Sequence, residues 1–229
     1  MRYFALLLLS SIFLSCSSND GWEDLFNGED LSGWHVYNGA KDFNGWSVDS
    51  GVLVFDPATR TDASNASIIT NQRYKDFELA IDWMISKNGN SGIFWSVEED
   101  TSYTYPYETG PEIQMLDDNW TEYVEERGNI QRAGSIFNIL PPDEIVSNPA
   151  GEWNSYLLHI DQTNNKGWLD FNGSRVLEFP VNGIEWNNLI ASTPFKDWEG
   201  FGKTQNGYIG LQDHGAKVGF RKIKIRELN

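Results

Sequence analysis

Short runs of alternating apolar and polar residues fill most of this chain, and turn signals separate them. The most regular run spans residues 77–85. Phe77, Leu79, Ile81, Trp83 and Ile85 fall on one side, and Glu78, Ala80 and Asp82 on the other. Strand side chains alternate with period two, so this run predicts a strand with one buried face. Residues 45–48 and 51–55 predict a strand pair split by Asp49 and Ser50. Residues 91–97 follow residues 77–85 across Asn88-Gly89-Asn90, a hairpin signal. Strands are also predicted over 112–116, 135–140, 153–161, 168–171 and 175–179, the last two flanking a second hairpin signal, Asn172-Gly173. Residues 207–228 close the chain as two strands joined by a turn. The count comes to about a dozen short strands at regular spacing. No run of ~11 residues keeps a 3.6-residue period. The pattern predicts an all-β sandwich or barrel. Two segments, 98–110 and 182–206, read as long loops. The second carries Trp186, Phe195, Trp198 and Phe201. Such loops either wall a cleft or cover an open sheet edge.

A length of 229 residues suits one sizeable β domain. Aromatic residues make up 14%, which fits strand-rich folds. The formal net charge of −16 repels phosphate backbones, so no nucleic-acid partner is expected. The first residues read as a targeting segment. Arg2 supplies the positive region, residues 4–14 an apolar run too short for a comfortable span, and Ser15-Cys16 follows. Cys16 is the single cysteine, placed as in a bacterial lipoprotein processing site, although Phe13 stands where Leu is usual. The division expected is a signal peptide over 1–15, a lipidated Cys16 with a tether over 16–21, and one domain over 22–229. Lipid on Cys16 would be the only membrane contact and would place the protein in the cell envelope, at the outer membrane or in the periplasm. A cysteine nucleophile and a zinc-thiolate site are excluded by count.

Two stretches carry candidate chemistry. In GPEIQMLDD, residues 110–118, Glu112 and Gln114 share one face of a strand while Ile113 and Met115 face the core. Asp117 falls on the core side unless a bulge turns it outward. A second carboxylate beside Glu112 would supply a pair of the kind glycoside chemistry uses. In the closing stretch, Ile209 and Leu211 point one way, and Tyr208, Gln212 and His214 the other. His214 precedes Gly215, which places its ring near a strand end, and histidine is the usual general acid or base near neutral pH. His35 reads as a surface residue and His159 as structural. Trp95 is a candidate stacking platform, though its alternation with Ile93 and Val97 fits a core position equally. Asp117-Asp118-Asn119 is a candidate calcium corner, since calcium takes oxygen ligands, and a divalent cation is the one candidate cofactor.

At these residues the chain resembles the 3-keto-disaccharide hydrolase domain family. The matching stretches are LFNGEDLSGWHVYNG, YKDFELAIDWMI, GNSGIFW, YETGPEIQMLDD, RAGSIFNILPP, EWNSYLLHI, WLDFNGSRVLEF and GYIGLQDHGAKVGFRKIKIREL, in order along nearly the whole chain. The resemblance implies a concanavalin A-like jelly-roll β-sandwich of two antiparallel sheets, a sugar site on the concave sheet and activity on 3-keto-glycosides. Carried onto this sequence, it implies Glu112, Gln114 and His214 as site residues, with Asp117 and Gln212 as neighbours. A more distant resemblance is to jelly-roll endoglucanases, whose strand motif is Glu-x-Asp-x-x-Glu. Gln114 and Asp117 replace its last two carboxylates, which argues against ordinary retaining hydrolysis of a β-glucan.

The chemistry expected for a 3-keto-glycoside begins at C2, where the neighbouring ketone acidifies the proton. A base removes it, the aglycone leaves C1, and water adds to the enone. Glu112 or His214 would be the base and the other the acid, with Gln114 and Gln212 bonding hydroxyls or the ketone. The alternative is a non-catalytic carbohydrate-binding module of a sugar-uptake system. A third reading is a structural surface lipoprotein with no sugar affinity.

Overall fold

The computed structural model describes residues 21–39 and 42–228. The leader assigned to residues 1–15, Cys16 and most of the tether lie outside them. Strands β1 (Glu23–Asp24), β2 (Trp34–Val36), β3 (Trp46–Asp49), β4 (Val52–Phe55) and β5 (Ile68–Thr70) come first. β6 (Asp76–Ile85), β7 (Asn90–Val97) and β8 (Glu112–Leu116) follow, then a short helix, α1 (Thr121–Arg127). β9 (Asn154–Asp161), β10 (Lys166–Phe171) and β11 (Ser174–Phe179) precede helix α2 (Gly183–Ile190), and β12 (Tyr208–Leu211) and β13 (Val218–Glu227) close the chain.

The strands form two antiparallel sheets. The larger has eight strands, in the order β11-β10-β9-β6-β13-β4-β3, with β1 also paired to β13. The smaller has five, in the order β2-β5-β12-β7-β8. β6 and β7, and β12 and β13, are neighbours in sequence but lie in different sheets. This crossing makes the fold a jelly-roll sandwich rather than a meander. The predicted apolar face of β6 is buried throughout, against residues of both sheets. Trp83, Tyr156 and Phe171 stack at its centre, the last two edge to face with ring centroids 4.6 Å apart.

Several predicted elements take another form. The hairpin expected at Asn88-Gly89 is a turn, with Asn88 at φ 54°, but it carries the chain across the sandwich. β6 pairs with β9 and β13, and β7 with β8 and β12. The hairpin at Asn172-Gly173 does join paired strands. Both turn residues have positive φ, 48° and 88°, the geometry that matches strand twist. The β3–β4 turn is Ser50-Gly51, one residue later than predicted, again with both φ positive. Residues 135–140 are not a strand. Ile136 N–H bonds Leu140 C=O across a tight loop containing Asn138 at φ 58°. The start of that loop runs along β8 instead: Gly134 N–H reaches Gln114 C=O at 2.9 Å, and Phe137 N–H reaches Glu112 C=O at 3.0 Å. It thereby covers the edge strand that bears the candidate site. Ser96, at φ 57°, bulges β7, so Val97 joins Phe94 on the outer face of the smaller sheet rather than following Trp95 into the core.

Candidate functional site

The outer face of the smaller sheet carries a cleft of about 220 Å³ over β8, β7 and the end of β12. Its floor consists of Glu112 and Gln114 from β8, Asn90 from β7, and Gln212 and His214 from the segment after β12. Phe137 closes one side, and Tyr107, Phe195, Trp198 and Phe201 come from the two long loops. Those loops therefore wall a cleft, the first of the two roles their composition allowed. Within the wall Phe195 stacks on Phe201 at 4.2 Å, and Trp198 packs on Tyr107 at 6.0 Å. The segment expected as a loop over 182–206 opens with helix α2, and Trp186 on that helix is core instead.

Glu112 is the central group. Its strand order explains its reach: β7 lies between β8 and β12, and Glu112 extends across β7 to meet Gln212. Gln212 Nε2 donates to Glu112 Oε2 at 3.2 Å. The carboxyl crosses β7 over Gly92. A Cβ at that position would lie 2.1 Å from Glu112 Oε1 and 2.6 Å from its Cδ. Only a residue without a side chain leaves the space. Glu112 is 7% exposed, and the loss of water drives its pKa up to about 8, partly opposed by the Gln212 bond. A carboxyl of this kind still holds its proton near neutral pH.

The segment bearing Gln212 and His214 is fixed by its backbone and by Asp213. Gln212 N–H bonds Gly92 C=O at 3.0 Å, and Ser91 Oγ donates to Gln212 C=O at 2.9 Å. Between the two site residues, Asp213 turns away. It accepts from Arg60 Nη1 at 2.8 Å and from Gly215 N–H at 3.0 Å. His214 stands at the rim of the cleft, open to solvent on one side. The protein packed around its ring pushes its pKa below the usual histidine value, against the opposing pull of Asp213. No hydrogen bond joins His214 to Glu112.

Gln114 is held from below. Its Nε2 donates to Gln131 C=O at 3.2 Å, and Tyr156 Oη donates to the Gln114 C=O at 2.7 Å. The side-chain oxygens of Asn90, Gln114 and Gln212 are buried and make no hydrogen bond.

Of the residues singled out from sequence, Glu112, Gln114, Gln212 and His214 meet in this cleft. Two do not. Trp95 is 1% exposed and points into the core against Trp186 and Phe179, so it offers no stacking face. Asp117 braces the Asn88 turn, accepting from Asn88 N–H at 2.9 Å and Asn119 N–H at 3.1 Å. No second carboxylate therefore stands opposite Glu112. The proposed calcium corner is not assembled either. Asp118 accepts from Ala133 N–H and Ser147 Oγ, and no cluster of three His, Asp or Glu residues suited to a metal occurs among the described residues. His35, on β2, pairs with Glu99, and His159 stacks on Trp168 at 4.7 Å. Gly92 and Asn90 were missed. A glycine inside a strand signals close approach by another group, and Gly92 carried that signal.

Fold and site together define a jelly-roll sandwich with a cleft built around a buried carboxylic acid on its smaller sheet. Residues 21–226 match the 3-keto-alpha-glucoside-1,2-lyase-like domain, and the chain belongs to this family. A 3-keto-disaccharide hydrolase of Bacteroides thetaiotaomicron is 29% identical over 234 residues, covering 92% of this chain and 79% of that one. A crystal structure of a candidate glycosyl hydrolase from Parabacteroides distasonis superposes with a TM-score of 0.82 at 34% identity, over 91% of this chain and 95% of that one. A carbohydrate-binding module from Bacillus subtilis shares the fold alone, with a TM-score of 0.51 at 10% identity over 85% of this chain and 96% of that one.

Proposed function

We propose that the cleft cleaves 3-keto-glycosides by elimination across C1 and C2 followed by addition of water. The observation that carries this reading is the buried Glu112 in an aromatic-walled cleft, in a member of a 1,2-lyase-like family. The hydrolase name of the Bacteroides relative supports the same chemistry, because elimination and hydration sum to hydrolysis.

The two titratable groups have environments that push them apart, Glu112 up and His214 down. Near neutral pH the imidazole is therefore free to take a proton and the carboxyl has one to give. This ordering supports the following roles. His214 removes the C2 proton, and its electron pair forms the enolate at C2–C3. The C1–O bond then breaks, and Glu112 delivers its proton to the departing oxygen. The ketone re-forms as a C1=C2 enone. Water adds OH at C1 and H at C2, giving the free 3-keto sugar.

Gln212 supports both steps. When Glu112 is ionised, it accepts from Gln212 Nε2. When it is protonated, it can donate to Gln212 Oε1, which turns the amide N–H toward the cleft as a donor for the enolate oxygen. The aromatic walls exclude water and face the apolar C–H surface of a sugar ring. A non-catalytic binding module has no use for a desolvated carboxylic acid in its floor.

The test is release of aglycone from a chromogenic 3-keto-glucoside. Glu112→Gln and His214→Ala should each lower kcat by ~10²–10⁴. Full rate in both variants would remove the assignment. We also propose that Cys16 anchors the chain to the cell envelope through lipid. Cys16→Ser should then move the protein from the membrane fraction to the soluble one, and an unchanged distribution would reject the anchor.

A further inference from the structure

Among the described residues, six buried side-chain polar atoms lack a hydrogen-bond partner, and three of them line this one cleft: Asn90 Oδ1, Gln114 Oε1 and Gln212 Oε1. All three are amide oxygens, which accept and never donate. Leaving one buried and unpaired costs stability, and a fold keeps such atoms where a ligand completes them.

Gln212 turns with the proton on Glu112, so its polarity is not fixed. Gln114 is different. Rotating the Gln114 amide would set its oxygen against the Gln131 carbonyl that its Nε2 now meets at 3.2 Å. Gln131 is itself held by Tyr123 Oη at 2.7 Å and by Asn138 at 2.6 Å. That buried network orients the Gln114 oxygen as a permanent acceptor, and Asn90 Oδ1 stands buried and unpaired in the same floor. Asn90 is 5% exposed and Gln114 0%. Asn90 pairs with Leu116 and Gln114 with Gly92, so the two acceptors sit diagonally across β7 and β8. That spacing lets both reach one ring.

The cleft has no matching site for an anion. No lysine or arginine lines it, its one histidine tends to lose its proton, and the chain carries a net charge of −16. A carboxylate or phosphate placed there would face acceptor oxygens with no counter-charge.

We propose that Asn90 and Gln114 read two hydroxyl groups of an uncharged sugar ring, and that the cleft rejects rings bearing carboxylate, sulfate or phosphate. This rests on the carbohydrate reading above and adds the chemistry of the ring to it.

The test pairs turnover with binding. Turnover is measured on a 3-keto-glucoside, the matching 3-keto-glucuronide and single-deoxy analogues. Binding is measured by calorimetry with the unoxidised glucoside and glucuronide, which cannot react. Asn90→Leu and Gln114→Met should each raise KM ~10-fold and leave kcat within ~3-fold. The deoxy analogue lacking the hydroxyl read by a given residue should bind ~10-fold worse to the parent, with no further loss in that residue's variant. The glucuronide should be ~100-fold poorer. A glucuronide handled as well as the glucoside, or variants that lose the same factor on every analogue, would overturn the inference while leaving glycoside cleavage intact. Selective glucoside binding without turnover would leave the inference standing and remove the catalytic reading. Absence of binding to any sugar would overturn both. Circular dichroism of each variant separates these results from misfolding.

Discussion

Replacing Glu112 by Gln should stabilise the fold, and the gain should grow with pH. The carboxyl is desolvated in the native state, where its pKa is about 8, against 4.5 for the exposed group. Between those values the folded chain holds a proton that the unfolded chain releases, so native stability falls as pH rises through the window. Each pH unit is worth about 1.4 kcal/mol. The cost is under about 1 kcal/mol at pH 5, about 3 kcal/mol at pH 7, and levels near 5 kcal/mol above pH 8, as upper bounds set by that pKa gap. The glutamine amide is isosteric, can still accept from Gln212 and carries no charge to bury. For a domain of this size 1 kcal/mol moves Tm by about 2–4 °C, so Glu112→Gln should raise Tm by roughly 6–12 °C at pH 7 and little at pH 5. Thermal melts of both proteins across pH 5–9 measure this without any substrate. A Tm difference that stays constant with pH, or a less stable variant at pH 9, would refute the desolvation argument. Together with lost turnover, the expected result would mark Glu112 as a residue kept for activity at a cost in stability.

Three further outcomes follow from the same geometry. Gly92→Ala places a methyl where Glu112 Oε1 now lies, and Gly92 has no positive φ to complicate the change. It should keep the fold but displace the carboxyl and lower kcat/KM by ~10² or more, whereas an unchanged rate with an unchanged melt would mean that the carboxyl has no fixed position. The pH profile of kcat/KM should be bell-shaped, rising below 6.5 as His214 loses its proton and falling near 8 as Glu112 loses its own. Loss of the alkaline limb in Glu112→Gln assigns it, and a profile still falling near 8 in that variant would transfer the limb to another group. Trp95→Ala should destabilise by ~3–5 kcal/mol in urea titration, as for a large core aromatic. Its KM should match the parent at temperatures where it stays folded, and a selective rise in KM would return Trp95 to the site.

The part of the site legible in the sequence is the part written in period two. Alternation alone put Glu112 beside Gln114 and put Gln212 beside His214, because a strand fixes which side chains share a face whatever the strand pairs with. It failed where a second fact was needed. Trp95 belongs to the inward set with Ile93, but one bulge at Ser96 moves Val97 out of that set, and a bulge leaves no reliable mark in a run of buried residues. The Asn88-Gly89 signal was a turn, as its chemistry requires. Turn chemistry reverses the chain locally and says nothing about which sheet receives the next strand. Asp117 read as a second carboxylate because its side was undetermined, and the fold spends both its oxygens on turn amides.

Gly92 shows how sequence and site are connected here. Its role cannot be seen from its own strand, because the group it makes room for comes from β8 and the partner that group reaches comes from beyond β12. Two consecutive strands and a segment 100 residues further along the chain meet at the one position without a side chain. The central carboxyl is dry because it crosses a strand rather than pointing off its edge, and it crosses because residue 92 is glycine. Its raised pKa, its contact with Gln212 and its distance from solvent all depend on that missing Cβ. A single methyl at residue 92 therefore tests the floor of the cleft as a unit, and it does so without replacing any residue proposed to move a proton.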